Sequence, residues 1–112
     1  MVEAEVEVGG KLLRALLLEL PNACILLICE GDLRLGTLAL AMPRAPYGPP
    51  GPTSSPIIGH RHSLTARMLA ERLANLVGKI ALVSLRAEGP EAEVGARALE
   101  ALKKVLEERG GT

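Results

Sequence analysis

The chain has 112 residues, enough for one domain around one core, and a linker in its middle would leave two pieces too small to fold alone. Its 13 Lys and Arg balance 13 Asp and Glu, and it has one Tyr and no Phe or Trp, so it lacks both the basic surplus and the stacking surface of a nucleic-acid binder. Charges break every apolar run before the ~18 residues a membrane helix needs, and the acidic, alternating start is unlike a signal peptide; the expected compartment is the cytoplasm, with no membrane partner.

In chain order, "VEAEVEV", Val2 to Val8, alternates apolar and acidic residues and predicts a half-buried strand. Gly9-Gly10 is the kind of two-residue turn that closes a hairpin. "KLLRALLLEL", Lys11 to Leu20, has helix-favouring residues, yet the Gly-Gly turn before it and Pro21-Asn22 after it favour a second strand. The alternative is a third helix. "ACILLICE", Ala23 to Glu30, reads as a buried strand. Cys24 and Cys29 then point to opposite faces, cannot pair within the strand, and read as buried thiols. Gly31-Asp32 turns the chain, and Leu35 to Met42 predicts a fourth strand paired back on the third.

Residues 43–56 form a Pro-rich loop, and "SPIIG" after it adds an edge strand. Ser63 is the expected N-cap of a helix through "LTARMLAERLANLV", with Leu64, Met68, Leu69, Leu73, Leu76 and Val77 as its apolar stripe. Arg67 and Glu71 are expected on its other face, and Gly78 ends it. Lys79 to Arg86 is another buried strand. Gly89-Pro90 opens a last helix with Glu91 and Glu93 in its first turn and a stripe of Val94, Ala98, Ala101, Leu102, Val105 and Leu106. The expected fold is α+β: a single domain, residues 1–112, with an antiparallel sheet of about five to six strands, two helices on one face, and the order β-β-β-β-β-α-β-α.

Two helices, each about 10 Å wide, cover one face of a four-stranded sheet and leave the other bare. That other face is not polar. Leu12, Leu16 and Leu18 oppose Leu13, Ala15 and Leu17; Ile25 and Leu27 oppose Cys24, Leu26 and Ile28; Leu38 and Leu40 oppose Ala39; Ile80 and Leu82 oppose Ala81, Val83 and Leu85. About a dozen outward apolar residues at ~30 Å² of sheet each make a patch on the order of 400 Å², more than monomers leave bare. A sheet-on-sheet dimer follows, for which Leu13, Leu17, Leu26, Ile28, Leu38 and Leu40 are the candidate contacts.

Chemical motifs are sparse. His60 and His62 are two apart, as on one strand face, but carboxylates are scarce around them, so no metal site is expected. Thr53 to Ser55 lie near His60 in sequence, but a Ser–His hydrolase needs an orienting carboxylate and an oxyanion hole, and no G-x-S-x-G elbow occurs. No Walker loop or dinucleotide fingerprint appears. The expectation is a non-enzyme without catalytic residues or cofactors. The stretch from Met42 to Ser63 holds six of the chain's eight prolines, Tyr47 and both histidines, and reads as a stiff working loop on one domain.

"EVEVGGKLLRALLLEL", "NACILLICEGDLRLGTLALAM", a variable loop, "TSSPIIG", "LTARMLAERLANLVGKIALVSL" and a final "EVGARALEALKKVLEE" follow one another in an order that resembles the proteasome assembly chaperone 3 and 4 family. The resemblance spans nearly the whole chain. It implies a non-catalytic dimer, of one chain or of two paralogues, that binds α-type proteasome subunits and helps the α-ring assemble. The loop is the expected contact side, with Arg44, Tyr47, Arg61 and His62 as candidates. The rival expectation is a dimeric small-molecule binder or small enzyme using a cleft near His60, His62 and Ser55.

Overall fold

The structure is a computed structural model that describes residues 1–44, 48 and 53–110. The elements follow the expected order: β1 (Val2–Val8), β2 (Lys11–Glu19), β3 (Ala23–Glu30), β4 (Thr37–Ala41), β5 (Ser54–Ile58), α1 (Ser63–Val77), β6 (Ile80–Arg86) and α2 (Glu91–Gly110). Lys11–Glu19 is a strand, not a third helix. Gly9 and Gly10 have φ of 62° and 78°, the left-handed pair a two-residue hairpin demands, and Val8 lies opposite Lys11. The β2–β3 turn closes over Pro21-Asn22, with Leu20 N–H donating to the Ala23 carbonyl at 2.7 Å.

The fold is α+β, a six-stranded mixed sheet in the order β1-β2-β3-β6-β4-β5. It is antiparallel except between β3 and β6. The fourth strand therefore does not pair with the third: β6 lies between them. The connection 31–36 makes this possible, because six extended residues reach ~20 Å and one intervening strand asks for only ~10 Å. α1 returns the chain into that gap, the crossover a parallel pair requires. β6, apolar on both faces, thereby gains a neighbour on each side.

Beneath the helices lie Leu13, Ala15 and Leu17 of β2, Cys24, Leu26 and Ile28 of β3, Ala39 and Ala41 of β4, and Ala81, Val83 and Leu85 of β6, each at most 2% exposed. α1 packs on β4, β6 and β5, and α2 on β1 and β2. The stripe expected on α2 is buried at Val94, Ala98, Ala101, Leu102 and Val105, with Leu106 packed against it. The stripe expected on α1 is buried only at Leu69 and Leu73, with Val77 packed against the core. The buried residues of α1 are Thr65, Ala66, Leu69, Ala70, Leu73 and Ala74, while Leu64, Met68 and Leu76 stand about 60% exposed. Alanines let the helix approach the sheet closely, and the register that buries them turns the larger side chains outward.

Ion pairs pin both ends of α2. Near its C-terminus Arg109 Nε and Nη2 reach Glu19 at 2.5 and 2.9 Å, and Lys79 Nζ joins the same carboxylate at 2.9 Å. Arg109, then Lys79, holds Glu19 down from its ordinary 4.5 to about 2. A carboxylate depressed by folding stabilises fully above about 4.5 and loses that contribution as pH falls toward 2. We expect Glu19→Gln to cost ~1 kcal/mol at pH 7, since the pair is partly solvated, and only a small fraction of that at pH 2; denaturation at both pH values checks this. Toward its N-terminal end, α2 carries Arg97, only 5% exposed. Arg97 Nη2 donates to the Glu88 carbonyl at 2.5 Å, and Nη1 lies 3.8 Å from Glu30 Oε2. Glu30 also accepts Glu88 N–H at 2.9 Å and pairs with Lys11 at 3.4 Å. The Glu88 N–H bond is the largest cause that holds Glu30 below the ordinary carboxylate range.

Candidate partner-binding surfaces

The face of the sheet without helices is apolar across its middle. Leu16 lies opposite Leu27, Leu18 opposite Ile25, and Leu40 opposite Leu82, which also neighbours Ile25. Leu16, Ile25, Leu27, Leu38, Leu40 and Leu82 are half-buried by one another, and Leu12 and Leu18 are 44% and 38% exposed. One margin is acidic. The registry of β1 puts Glu3, Glu5 and Glu7 on this face, opposite Leu16, Arg14 and Leu12, with Arg14 3.8 Å from Glu5. Alternating carboxylates on an edge strand discourage strand-to-strand pairing there while leaving the middle free for face-to-face contact.

One end of this face is already closed. Cys29 belongs to it by register, yet is fully buried, because the connection 31–36 crosses it and the Cys29 thiol donates to the Arg34 carbonyl at 3.1 Å. Leu33 of the same connection lines a hollow with Glu3, Glu5, Arg14 and Leu16. Cys24 sits on the opposite, helix-covered face, where burial pushes its thiol up; both cysteines are free, as their spacing implies.

The faces sort the six residues named for a sheet-on-sheet contact. Leu13, Leu17, Leu26 and Ile28 are at most 1% exposed beneath the helices and belong to the domain's own core. Leu38 and Leu40 lie on the open face. The alternation of β2 and β3 separates the two sets correctly, but both are apolar, so only the position of the helices tells core from surface.

The residues expected on the loop side are not brought together. Arg44 N–H donates to Asn75 Oδ1 at 2.9 Å, beside the last turn of α1. Arg61 and His62 sit at its first turn, about 20 Å away along the helix axis. Tyr47 lies outside the described residues. Between the two ends, Thr53 and Ser54 hydroxyls donate to Glu71 at 3.2 and 2.7 Å, and Arg67 Nε donates to Ser54 Oγ at 3.3 Å. Ser54, first among these donors, holds Glu71 below the ordinary carboxylate range. Arg67 and Glu71 thus fasten β5 to α1 and are not a free surface pair. The hydroxyls are spent on that anchor.

Ser63 is the first helical residue, not the cap. The N-cap is His62, left-handed at φ 57°, and its side chain does not cap the helix. Glu91 of α2 does so from across the structure: Oε1 accepts Thr65 N–H at 3.3 Å and Thr65 Oγ1–H at 3.0 Å, and Oε2 accepts the His62 Nδ1 proton. A carboxylate there satisfies an orphan N–H and meets the positive end of the helix. His62, then Thr65, holds Glu91 below the ordinary range. Before the cap, Gly59 has φ 89°, and a Cβ on it would stand 2.8 Å from Thr37 Oγ1 and 2.9 Å from Thr37 Cα. Thr37 Oγ1 in turn donates to the Arg61 carbonyl at 2.5 Å. We expect Gly59→Ala to destabilise by ~2 kcal/mol, from strain plus backbone displacement, as read by denaturant midpoint.

A second apolar surface lies between the helices, a groove of about 560 Å³ walled by Leu64, Met68 and Leu69 of α1 and by Ala92, Ala96 and Leu99 of α2. It is where the exposed Leu64 and Met68 of α1 lie. Among the described residues, no three His, Cys, Asp or Glu cluster as metal ligands would, and no helix is long and apolar enough to cross a membrane. Neither a protein-family model nor a curated protein matches this chain.

Proposed function

We propose that the protein is a non-catalytic adaptor that works as a sheet-on-sheet dimer, of itself or with a paralogue, and that it acts in the cytoplasm as an assembly chaperone for α-type proteasome subunits. The observation that carries the dimer is the open apolar middle of the sheet, centred on Leu27, Leu40 and Leu82, beside a charged margin. Water would otherwise meet a continuous apolar surface of the size that partners cover. The client rests on the resemblance of the ordered segments to the chaperone family. In this reading the paired sheets make a rigid body, helices outward, and clients meet polar surface at the loop ends of α1. A polar contact of that kind releases readily when a later subunit competes for it.

Mass in solution across dilution tests the dimer, and affinity purification from the native lysate tests the client. A dimer that returns α-type subunits supports the whole reading. A monomer at all concentrations removes the dimer, and a dimer that repeatedly returns other proteins removes the proteasome client.

A further inference from the structure

The two helices start side by side, where Glu91 of α2 holds Thr65 of α1, and the groove of about 560 Å³ runs on from that contact. A Cβ on Gly95 would stand 3.7 Å from Thr65 Oγ1, an ordinary contact, so the helices meet there. The α2 wall is Ala92, Gly95 and Ala96, which put almost no side chain into the space. The α1 wall is Leu64 and Met68, each 60% exposed. Leu69, which is buried, and Leu99, which packs against the core, make the floor.

Glu71, Arg72 and Glu91 are the charged side chains of the lining, and both acids are already engaged. Glu91 accepts from Thr65 and from the His62 ring, and Glu71 from Thr53 and Ser54. Arg72 is exposed and makes no hydrogen bond or ion pair with another described residue. It follows Met68 by four residues, as Met68 follows Leu64, so the three share one row of α1. That wall is an apolar row that ends in a cation, ~12 Å from Leu64 to Arg72 along the helix axis.

We propose that the groove binds a small amphiphile, a single unbranched hydrocarbon chain with a carboxylate head. The chain lies along Leu64, Met68, Ala96 and Leu99, and the head meets Arg72. Size selects a small molecule over a protein. A stable protein contact takes ~20–30 residues a side, far more than line this groove, whereas small-ligand clefts measure ~300–1,000 Å³. Charge selects the head. The planar guanidinium fork of Arg72 matches a carboxylate, and with Glu71 and Glu91 engaged the lining has no free acid for a cationic head. The flexible thioether of Met68 adapts to a chain that has no fixed shape of its own.

The test is a titration of the full chain with decanoate below its micelle concentration, read by the ¹³C-methyl signals of the methionines. The chain has three of these. Met68 lies in the groove, while Met42 follows Leu38 and Leu40 at strand spacing, beside the open sheet face. Decanoate is expected to move Met68 saturably and to leave Met42 in place. Hexanoate, four methylenes shorter, is expected to bind about tenfold more weakly or worse. Decyltrimethylammonium, with the same tail and the opposite charge, is expected to bind about fivefold more weakly, and Arg72→Gln to remove that difference. Arg72 is exposed and unpaired among the described residues, so the variant keeps the fold. The solution mass is expected to be the same with and without decanoate, which separates this outcome from the dimer proposal. The proposal is overturned if Met42 moves in place of Met68, if both head groups bind equally, or if Arg72→Gln binds decanoate as the wild type does. A Met68 signal that moves with protein concentration alone would assign the groove to a second copy and overturn it too.

Discussion

Leu27→Glu combined with Leu40→Glu is expected to convert the protein from a species of twice 11.8 kDa into one of 11.8 kDa without unfolding it. Both leucines are on the helix-free face, half-buried by their neighbours, and neither belongs to the core beneath α1 and α2. In the proposed dimer each would lie near the middle of the contact, where burying a leucine contributes ~1.5–3 kcal/mol. A carboxylate put there is desolvated without a partner, which adds several kcal/mol more. The sum weakens association by at least about a hundredfold, since 1.4 kcal/mol is tenfold. Analytical ultracentrifugation at two concentrations reads the mass, and far-UV circular dichroism reads the fold. Leu12→Glu, at the margin beside Glu7, is the matched control and is expected to shift the equilibrium far less. A wild type that sediments at 11.8 kDa throughout would refute the dimer.

Arg97→Ala is expected to have the largest effect on stability, ~3 kcal/mol or more. Arg97 is 5% exposed, and its guanidinium joins the Glu88 carbonyl, the Glu93 carbonyl and the Glu30 carboxylate. Truncation takes away one of the two cations beside Glu30, leaves the Glu88 carbonyl without its side-chain donor, and opens a cavity the length of the side chain. Glu30→Gln keeps the acceptor for Glu88 N–H and loses only charge, so its cost should be near 1 kcal/mol. Lys11→Ala, whose side chain is 41% exposed, should cost still less. The checking measurement is the denaturant midpoint at unchanged slope and at one fixed protein concentration, because dissociation would otherwise enter the midpoint. A loss below 1 kcal/mol for Arg97→Ala would show that the network is solvated and adds little.

Element order was open to reading along the chain because each signal is local. Gly9-Gly10 sets left-handed backbone, Pro21-Asn22 stops a strand, and the stripe from Val94 to Val105 repeats at helical spacing. What could not be read is which element lies beside which. The insertion of β6 between β3 and β4 leaves no mark within any one strand, because it satisfies the backbone of three strands at once. Alanine concealed the buried face of α1: Leu64, Met68 and Leu76 are the larger apolar residues, yet the closer packing of Ala66, Ala70 and Ala74 prevails. The cap supplied by Glu91 was equally hidden. Glu91 reads as an ordinary acid in the first turn of its own helix, and it reaches α1 only because the two helix starts meet at one end of the sheet.

By itself the sequence determined one domain, the succession of strands and helices, and an excess of apolar residues that two helices cannot cover. Those properties rest on composition and on periods of two and 3.6, which the chain carries in each short window. Only the tertiary structure decided which apolar face is core and which is open, that Arg97 is a buried tie, and that His62 turns one nitrogen to Glu91 and leaves the other unmet. Each of these depends on residues far apart in the chain coming within a few ångströms, and no local pattern encodes that proximity.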